Sequence, residues 1–172
     1  VDLAPTVLSL AGIKPPAHMQ GESFMGRFNA PERQYVYGFR GRMDERYDLV
    51  RSVRHKRYVY IRNYIPHKIY GQYIAYMFET PTTRVWKKHY DSGLASPAQA
   101  RFWETKPPEE LYDLHNDPDE VNNLAGSLEH GPILKKMREA QRELAIRIRD
   151  VGFLPEAEIH SRSKGSTPYE MG

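Results

Sequence analysis

Apolar positions along this chain follow two rhythms, helical spacing near its two ends and strand-like alternation between them. Leu3, Val7, Leu10 and Ala11 fall on one side of a short helix over residues 3–11, with Asp2 to cap it, Pro5 in its tolerant first turn and Gly12 to end it. Residues 13–33 carry Pro15, Pro16, Gly21, Gly26 and Pro31, the marks of an irregular surface connection. Residues 34–40, 49–54 and 57–63 are rich in Val, Ile, Tyr and Phe and predict three strands. His55-Lys56 is the short link between the last two, without the glycine that a tight primed turn favours. A fourth strand follows at 110–114, where apolar and polar residues alternate. Asn116-Asp117-Pro118 breaks it, and a short helix is expected next, capped by Asp117 and opened by Pro118.

Residues 64–107 form a long insertion between strands three and four, too long to lack structure of its own. Two helices are readable in it, one over 82–91 ended near Gly93 and one over 98–104 opened by Ser96-Pro97, with Gln99 as the capping-box partner. The last helix is predicted over 133–151, where Ile133, Met137, Ala140, Leu144, Ile148 and Val151 share a face, Pro132 opens it and Gly152 caps it. That face must cover the sheet. The expected fold class is therefore α+β: a four-stranded antiparallel sheet packed by a long C-terminal helix, with a helical insertion between strands 3 and 4. From Pro155 onward polar residues, Gly and Ser replace apolar ones, so residues 155–172 read as a flexible tail.

Composition narrows the function. The chain of 172 residues can bury a sizeable core, and its 25 Lys and Arg against 22 Asp and Glu leave a charge of +3. That is too little to demand nucleic acid as a partner, yet it suits a polyanion such as a sulfated glycan. A mean hydropathy of -0.71 is low for a self-contained globule, so some surface is expected to lie against a missing partner domain. The absence of cysteine excludes disulfides, thiolate metal sites and cysteine nucleophiles within the chain. No apolar run approaches the roughly 18 residues of a membrane span. A start at Val1-Asp2-Leu3, with no Met and straight into a helix, reads as the tail of something longer, so the lack of a signal peptide says nothing of secretion.

Three ordered motifs carry a family resemblance. Glu110-Leu111-Tyr112-Asp113-Leu114, followed by Asn116-Asp117-Pro118, Glu120 and Asn123-Leu124-Ala125, resembles the signature of the C-terminal subdomain of sulfatases, the alkaline-phosphatase-like hydrolases of sulfate esters and sulfamates. Residues 1–13, with Gln20-Gly21-Glu22-Ser23-Phe24, are similar to the segment that closes the catalytic domain of that family, and residues 49–63 to the strand pair after it. The resemblance covers residues 1 to about 126 and is nearest to the heparan N-sulfatase (sulfamidase) branch. It implies that residues 1–33 end the catalytic domain and connect it to a C-terminal subdomain over 34–154. It also implies an N-terminal catalytic domain as partner, a sulfated saccharide as substrate, a formylglycine and calcium in the parent enzyme, and a periplasmic, secreted or lysosomal location.

None of the reactive groups is expected inside this chain. Ser23 and Ser52 lack the x-Pro-x-Arg continuation that formylglycine formation requires, and Ser96-Pro97-Ala98-Gln99-Ala100-Arg101 only approaches it. No catalytic residue, metal ligand or cofactor is therefore assigned here, and the isolated chain is expected to be inactive. What it offers is recognition. Arg40-Gly41-Arg42-Met43-Asp44-Glu45-Arg46-Tyr47 joins strands one and two, and the resemblance implies that this loop faces the catalytic pocket. Arginine forks suit sulfate or carboxylate and carboxylates accept sugar hydroxyls, so Arg40, Arg42, Asp44 and Glu45 are substrate-binding candidates. The plainer reading is a solvated turn whose charges neutralise one another.

His67, beside Lys68, Tyr64 and Tyr70, and His18, with Gln20 and Glu22, are further candidates, each also readable as an ordinary surface histidine. His55, in a tight turn between arginines, is expected to be exposed. The aromatic cluster from Tyr70 to Phe78, with Trp86 and Trp103, reads as packing. Asp113, Asp117, Asp119 and Glu120 lack the spacing of a calcium loop and read as a turn with a helix cap. A second function class stays open: a stand-alone basic module that reads RNA or glycan through a Tyr- and Arg-rich sheet, with Arg57-Tyr58-Val59-Tyr60-Ile61-Arg62-Asn63 as a faint echo of an RNA-recognition strand.

Overall fold

The computed structural model describes residues 1–171, which divide into two units, Val1–Gln34 and the remainder from Tyr35. In the first unit, helix α1 spans Leu3–Leu10, and its polar side is the buried one. Pro5, Thr6 and Ser9 are inaccessible because their groups bond the connection that follows: Thr6 Oγ1 accepts the Phe24 N–H at 3.2 Å, Ser23 Oγ donates to the Pro5 carbonyl at 3.0 Å, and Ser9 Oγ accepts the Phe28 N–H at 2.8 Å. Gly26, at φ +91°, passes so close to Ser9 that a Cβ there would meet its backbone at 2.5 Å. The apolar face expected to pack, Leu3, Val7 and Leu10, is instead exposed. Asp2 does not cap the helix with its side chain either. Its carboxylate accepts the Glu22 N–H at 2.9 Å and Arg33 at 2.9 and 3.0 Å, and the Glu22 backbone bond, ahead of the Arg33 charge, holds its pKa below the usual value.

The second unit is built on an antiparallel sheet of order β1-β2-β3-β4, with β1 at Val36–Arg40, β2 at Val50–His55, β3 at Tyr58–Asn63 and β4 at Glu109–Asp113. The register sets Val53 against Tyr37 and Tyr60, and Tyr60 against Leu111. Val53, Tyr60 and Leu111 thus share one face, on which helix α5 (Gly131–Arg147) lays Leu134, Met137 and Ala140. Burial of Val53, Leu111, Leu134 and Met137 contributes about 1.5–3 kcal/mol each. The α+β expectation, with its covering helix, is what the chain adopts.

Several local expectations are corrected. The β2–β3 turn is Lys56-Arg57, with Lys56 at φ +53°, so His55 belongs to the strand, opposite Tyr58. It is 9% exposed, with its ring centroid 5.1 Å from that of Tyr35 and Nε2 3.3 Å from Lys136 Nζ, and is not the exposed turn histidine expected. α5 stops at Arg147 because Arg149 turns to φ +49°. Asp150 can then pair with Arg51 at 2.6 and 3.1 Å. Gly152 is needed for that pair and does not cap the helix, since a Cβ there would lie 2.5 Å from the Arg51 guanidinium.

No helix forms after Pro118. The Asp117 carboxylate accepts the N–H groups of Val121 and Asn122 at 3.1 and 2.8 Å and closes a turn, in which Glu120 adopts φ +54°. This turn carries Asn123 to the free edge of β4, where its amide accepts the Leu111 N–H at 3.0 Å and donates to the Glu109 carbonyl at 2.9 Å, as a fifth strand would.

In the insertion, α3 spans Pro81–Asp91 and α4 spans Pro97–Ala100, the latter opened by the predicted capping box: Ser96 Oγ accepts the Gln99 N–H and Gln99 Oε1 accepts the Ser96 N–H. A 3-10 turn at Arg101–Trp103 continues α4 and buries Trp103 against Trp86, Phe102 and Phe78. A further helix, α2 (Ala75–Glu79), was not legible beforehand. The residues read as a tail carry two short helices, α6 (Glu156–Arg162) and α7 (Pro168–Met171). Among the described residues no helix is long and apolar enough to cross a membrane.

Candidate functional site

Strand register decides where the candidate residues gather. Arg40 pairs with Val50, Val50 with Asn63, and Arg62 with Glu109, so the end of β1, the start of β2, the end of β3 and the start of β4 meet at one end of the sheet. The 41–49 loop and the whole insertion leave from that end. Arg40, Arg42, Asp44, Glu45 and His67 are thereby brought to it from two separate stretches of sequence. His18 lies exposed in the first unit, in a turn closed by the Met19 N–H on the Pro16 carbonyl.

The base of this end is an ion pair. Lys106 Nζ lies 2.6 Å from each carboxylate oxygen of Asp48, and neither side chain has any solvent exposure. Asp48 also accepts the Leu49 N–H at 2.9 Å, and Arg40 Nε stands 3.6 Å away. The Lys106 N–H bonds the Pro66 carbonyl at 3.0 Å, which fixes the turn carrying His67 and Lys68, both exposed.

Above this base the loop folds on itself. Met43 and Arg46 exchange backbone hydrogen bonds at 2.9 Å each, and Asp44, at φ +49°, projects from the tip of the turn. Arg42 donates to the Asp44 carbonyl at 3.3 Å and pairs with Glu156. Glu45 accepts the Ala75 N–H at 2.6 Å, and backbone N–H groups, its own first and that of Ala75 next, hold its pKa below the ordinary glutamate value. Glu45 therefore ties the loop to α2 through one carboxylate oxygen while the side chain stays exposed.

Behind the site, Glu110 is 3% exposed and accepts Asn63 Nδ2 at 2.6 Å, Tyr70 Oη at 2.9 Å and Tyr112 Oη at 2.6 Å. This network fastens the insertion to β3 and β4. Burial, and then the Glu110 carboxylate, push the ionisation of Tyr70 and Tyr112 well above the usual tyrosine range. On the helix face, Glu109 accepts Tyr60 Oη and two nitrogens of Arg138, with Arg62 3.4 Å away, and the Arg138 bonds lead in lowering its pKa. These groups, with Tyr64 and Phe153, line an open cleft of about 710 Å³.

The arrangement can orient anions and hydroxyls. The calcium and formylglycine implied by the resemblance do not fit these residues: among the described residues no three His, Asp or Glu side chains converge to hold a metal ion, and the Ser96 hydroxyl that approaches the formylglycine motif is a helix cap. Sequence reasoning missed Asp48, Lys106 and Arg46. The first two lie 58 residues apart, and no spacing rule links them until the sheet topology is known.

Comparison with known proteins finds relatives among sulfatases. No family model matches the chain. It is 38% identical over 160 residues to an ulvan-active sulfatase of Formosa agariphila, covering 92% of this chain and 27% of that protein. It is 32% identical over 142 residues to a second ulvan-active sulfatase of the same organism, covering 79% of this chain and 26% of the relative. Among solved structures the fold matches a 2-O GAG sulfatase, with a TM-score of 0.55, 24% identity and coverage of 87% of this chain and 25% of that one. It also matches a protein solved in complex with its substrate D-glucosamine-2-N,6-O-disulfate, with a TM-score of 0.52, 20% identity and coverage of 87% and 24%. These comparisons support the sulfatase family for this chain, which spans about a quarter of the length of the relatives it matches.

Proposed function

We propose that the chain is the C-terminal subdomain of a sulfatase that hydrolyses sulfate esters or sulfamates of a glycan, and that it contributes substrate recognition and support without supplying the reactive centre. The nucleophile and metal ligands belong, on this reading, to an N-terminal catalytic domain, for which the exposed Leu3, Val7 and Leu10 of α1 are a suitable contact. The observation that carries the reading is the convergence of the 41–47 loop and the His67 turn at one sheet end, over the buried Asp48–Lys106 pair. A rigid base under polar, exposed tips is what positioning a hydroxylated, charged substrate requires.

The rival reading, a polyanion reader using its sheet, has less support. Stacking on bases or sugars needs exposed aromatic rings on central strands, whereas Tyr60 of the central strand β3 is 1% exposed. The test is kinetic. In the sulfatase that contains this chain, Arg42→Ala or Asp44→Ala should raise KM for a sulfated oligosaccharide about tenfold while kcat changes less than about twofold. Unchanged constants in both variants would remove the loop from the site.

A further inference from the structure

Two guanidinium groups at this end of the sheet are left with donors that nothing accepts. The Nε atoms of Arg40 and Arg46 are both shielded from solvent and make no hydrogen bond. Asp48, at 3.6 Å, is too far from Arg40 Nε for a hydrogen bond, and both of its oxygens are held by Lys106 at 2.6 Å. Arg46 reaches only the Met43 sulfur at 3.9 Å, and among the described residues no carboxylate lies within 4.0 Å of it.

Buried Arg51, by contrast, is matched by Asp150. Here Arg40 and Lys106 share one carboxylate, Asp48, and Arg46 adds a further positive charge close enough to act on Arg40. The two arginines also repel: after burial, the Arg46 charge is the next cause that lowers the Arg40 pKa. Uncompensated like charges are costly, and an anion bound to the exposed parts of these two side chains relieves that cost. That anion carries several acceptor oxygens.

We infer that Arg40 and Arg46 form a two-guanidinium clamp for one oxyanion substituent of a saccharide, a sulfate or a carboxylate, with Arg46 as a recognition residue that the loop motif alone did not single out. This deepens the proposed function and rests on it for the saccharide. Arg42 between them pairs with Glu156 and the Asp44 carbonyl, whereas Arg40 and Arg46 hydrogen-bond no carboxylate. The planar fork of each side chain suits a bidentate approach to an oxyanion, which lysine could not reproduce.

The test is a titration of the arginine-labelled chain followed by NMR at the Nε–H groups, at constant ionic strength, with sodium sulfate, glucuronate and glucose 6-sulfate as separate probes. Saturable shifts of the Arg40 and Arg46 signals, at least about tenfold weaker in affinity for Arg46→Gln and unaffected by Arg142→Gln, are expected. The tighter of the two sugar probes identifies the substituent. Arg46→Lys, which keeps the charge and loses the fork, should bind with intermediate affinity and serves if Arg46→Gln is poorly folded. Shifts no larger than those of Arg142, or equal in wild type and Arg46→Gln, would overturn the clamp. If they fail while Arg42→Ala still raises KM, the clamp is wrong and the recognition reading stands; failure of both removes both.

Discussion

Lys106 Nζ and the Asp48 carboxylate meet at 2.6 Å with no solvent at either side chain, and this pair joins the start of β2 to the chain entering β4. Removing one partner strands a buried charge. Lys106→Met or Asp48→Asn should each cost about 3–5 kcal/mol in urea unfolding, and the double variant less than the sum of the singles. Additive costs would mean that the two groups do not act as a pair.

The core on the helix face sets a second expectation. Met137 is fully buried beside Val53, Tyr60 and Leu111. Met137→Ala should lower stability by about 2–5 kcal/mol, read as a shift in urea midpoint with little change in slope. An effect under about 0.5 kcal/mol would show that α5 is not packed as described.

Stability should fall in alkali. Tyr60, Tyr70 and Tyr112 are all shifted upward, chiefly by burial. Unfolded tyrosines ionise near about pH 10, so above that value the unfolded chain loses protons that the folded one keeps, and stability declines with rising pH. Urea midpoints measured from about pH 8 to pH 11 should drop, and Tyr70→Phe should reduce that drop.

Acid acts through Glu109, whose carboxyl is lowered first by the Arg138 bonds. A depressed carboxylate stabilises the fold above its unfolded value, near about 4.3, and that contribution is lost as pH falls through the folded value. Wild type should therefore lose more stability between about pH 5 and pH 3 than Glu109→Gln does. Parallel decline of the two would remove Glu109 from the acid response.

The Ser96 cap offers a local check. Ser96→Ala removes the acceptor of the Gln99 N–H and should cost about 1 kcal/mol, seen as faster hydrogen exchange at Gln99 while the β2 and β3 amides are unchanged. No change at Gln99 would deny the box.

What the sequence made legible was what local chemistry determines. The alternation at 110–114, the Val- and Tyr-rich strands, the Ser96–Gln99 box and the long amphipathic helix each carry their own signal, and each formed. The misses are tertiary. α2 has no local cap because its first amide, that of Ala75, is accepted by Glu45 from 30 residues earlier. The helix expected after Pro118 gave way because Asp117 binds the amides of Val121 and Asn122, which delivers Asn123 to the edge of β4. α1 buries its hydroxyls because the returning chain offers amides to them. In the candidate site, the arginines and carboxylates of the 40–47 loop were readable as a charged cluster. Which of them tie the fold together, as Glu45 does, and which stay uncompensated, as Arg46 does, follows only from the packing.

The central claim, that this chain serves a hydrolytic site whose reactive groups lie outside it, is tested most directly by sulfate release from a sulfated oligosaccharide. The assay compares the chain alone, the remaining portion of the sulfatase alone, and the two combined. The account predicts none from the chain alone and recovery of hydrolysis on combination. Sulfate release by the chain alone would contradict it.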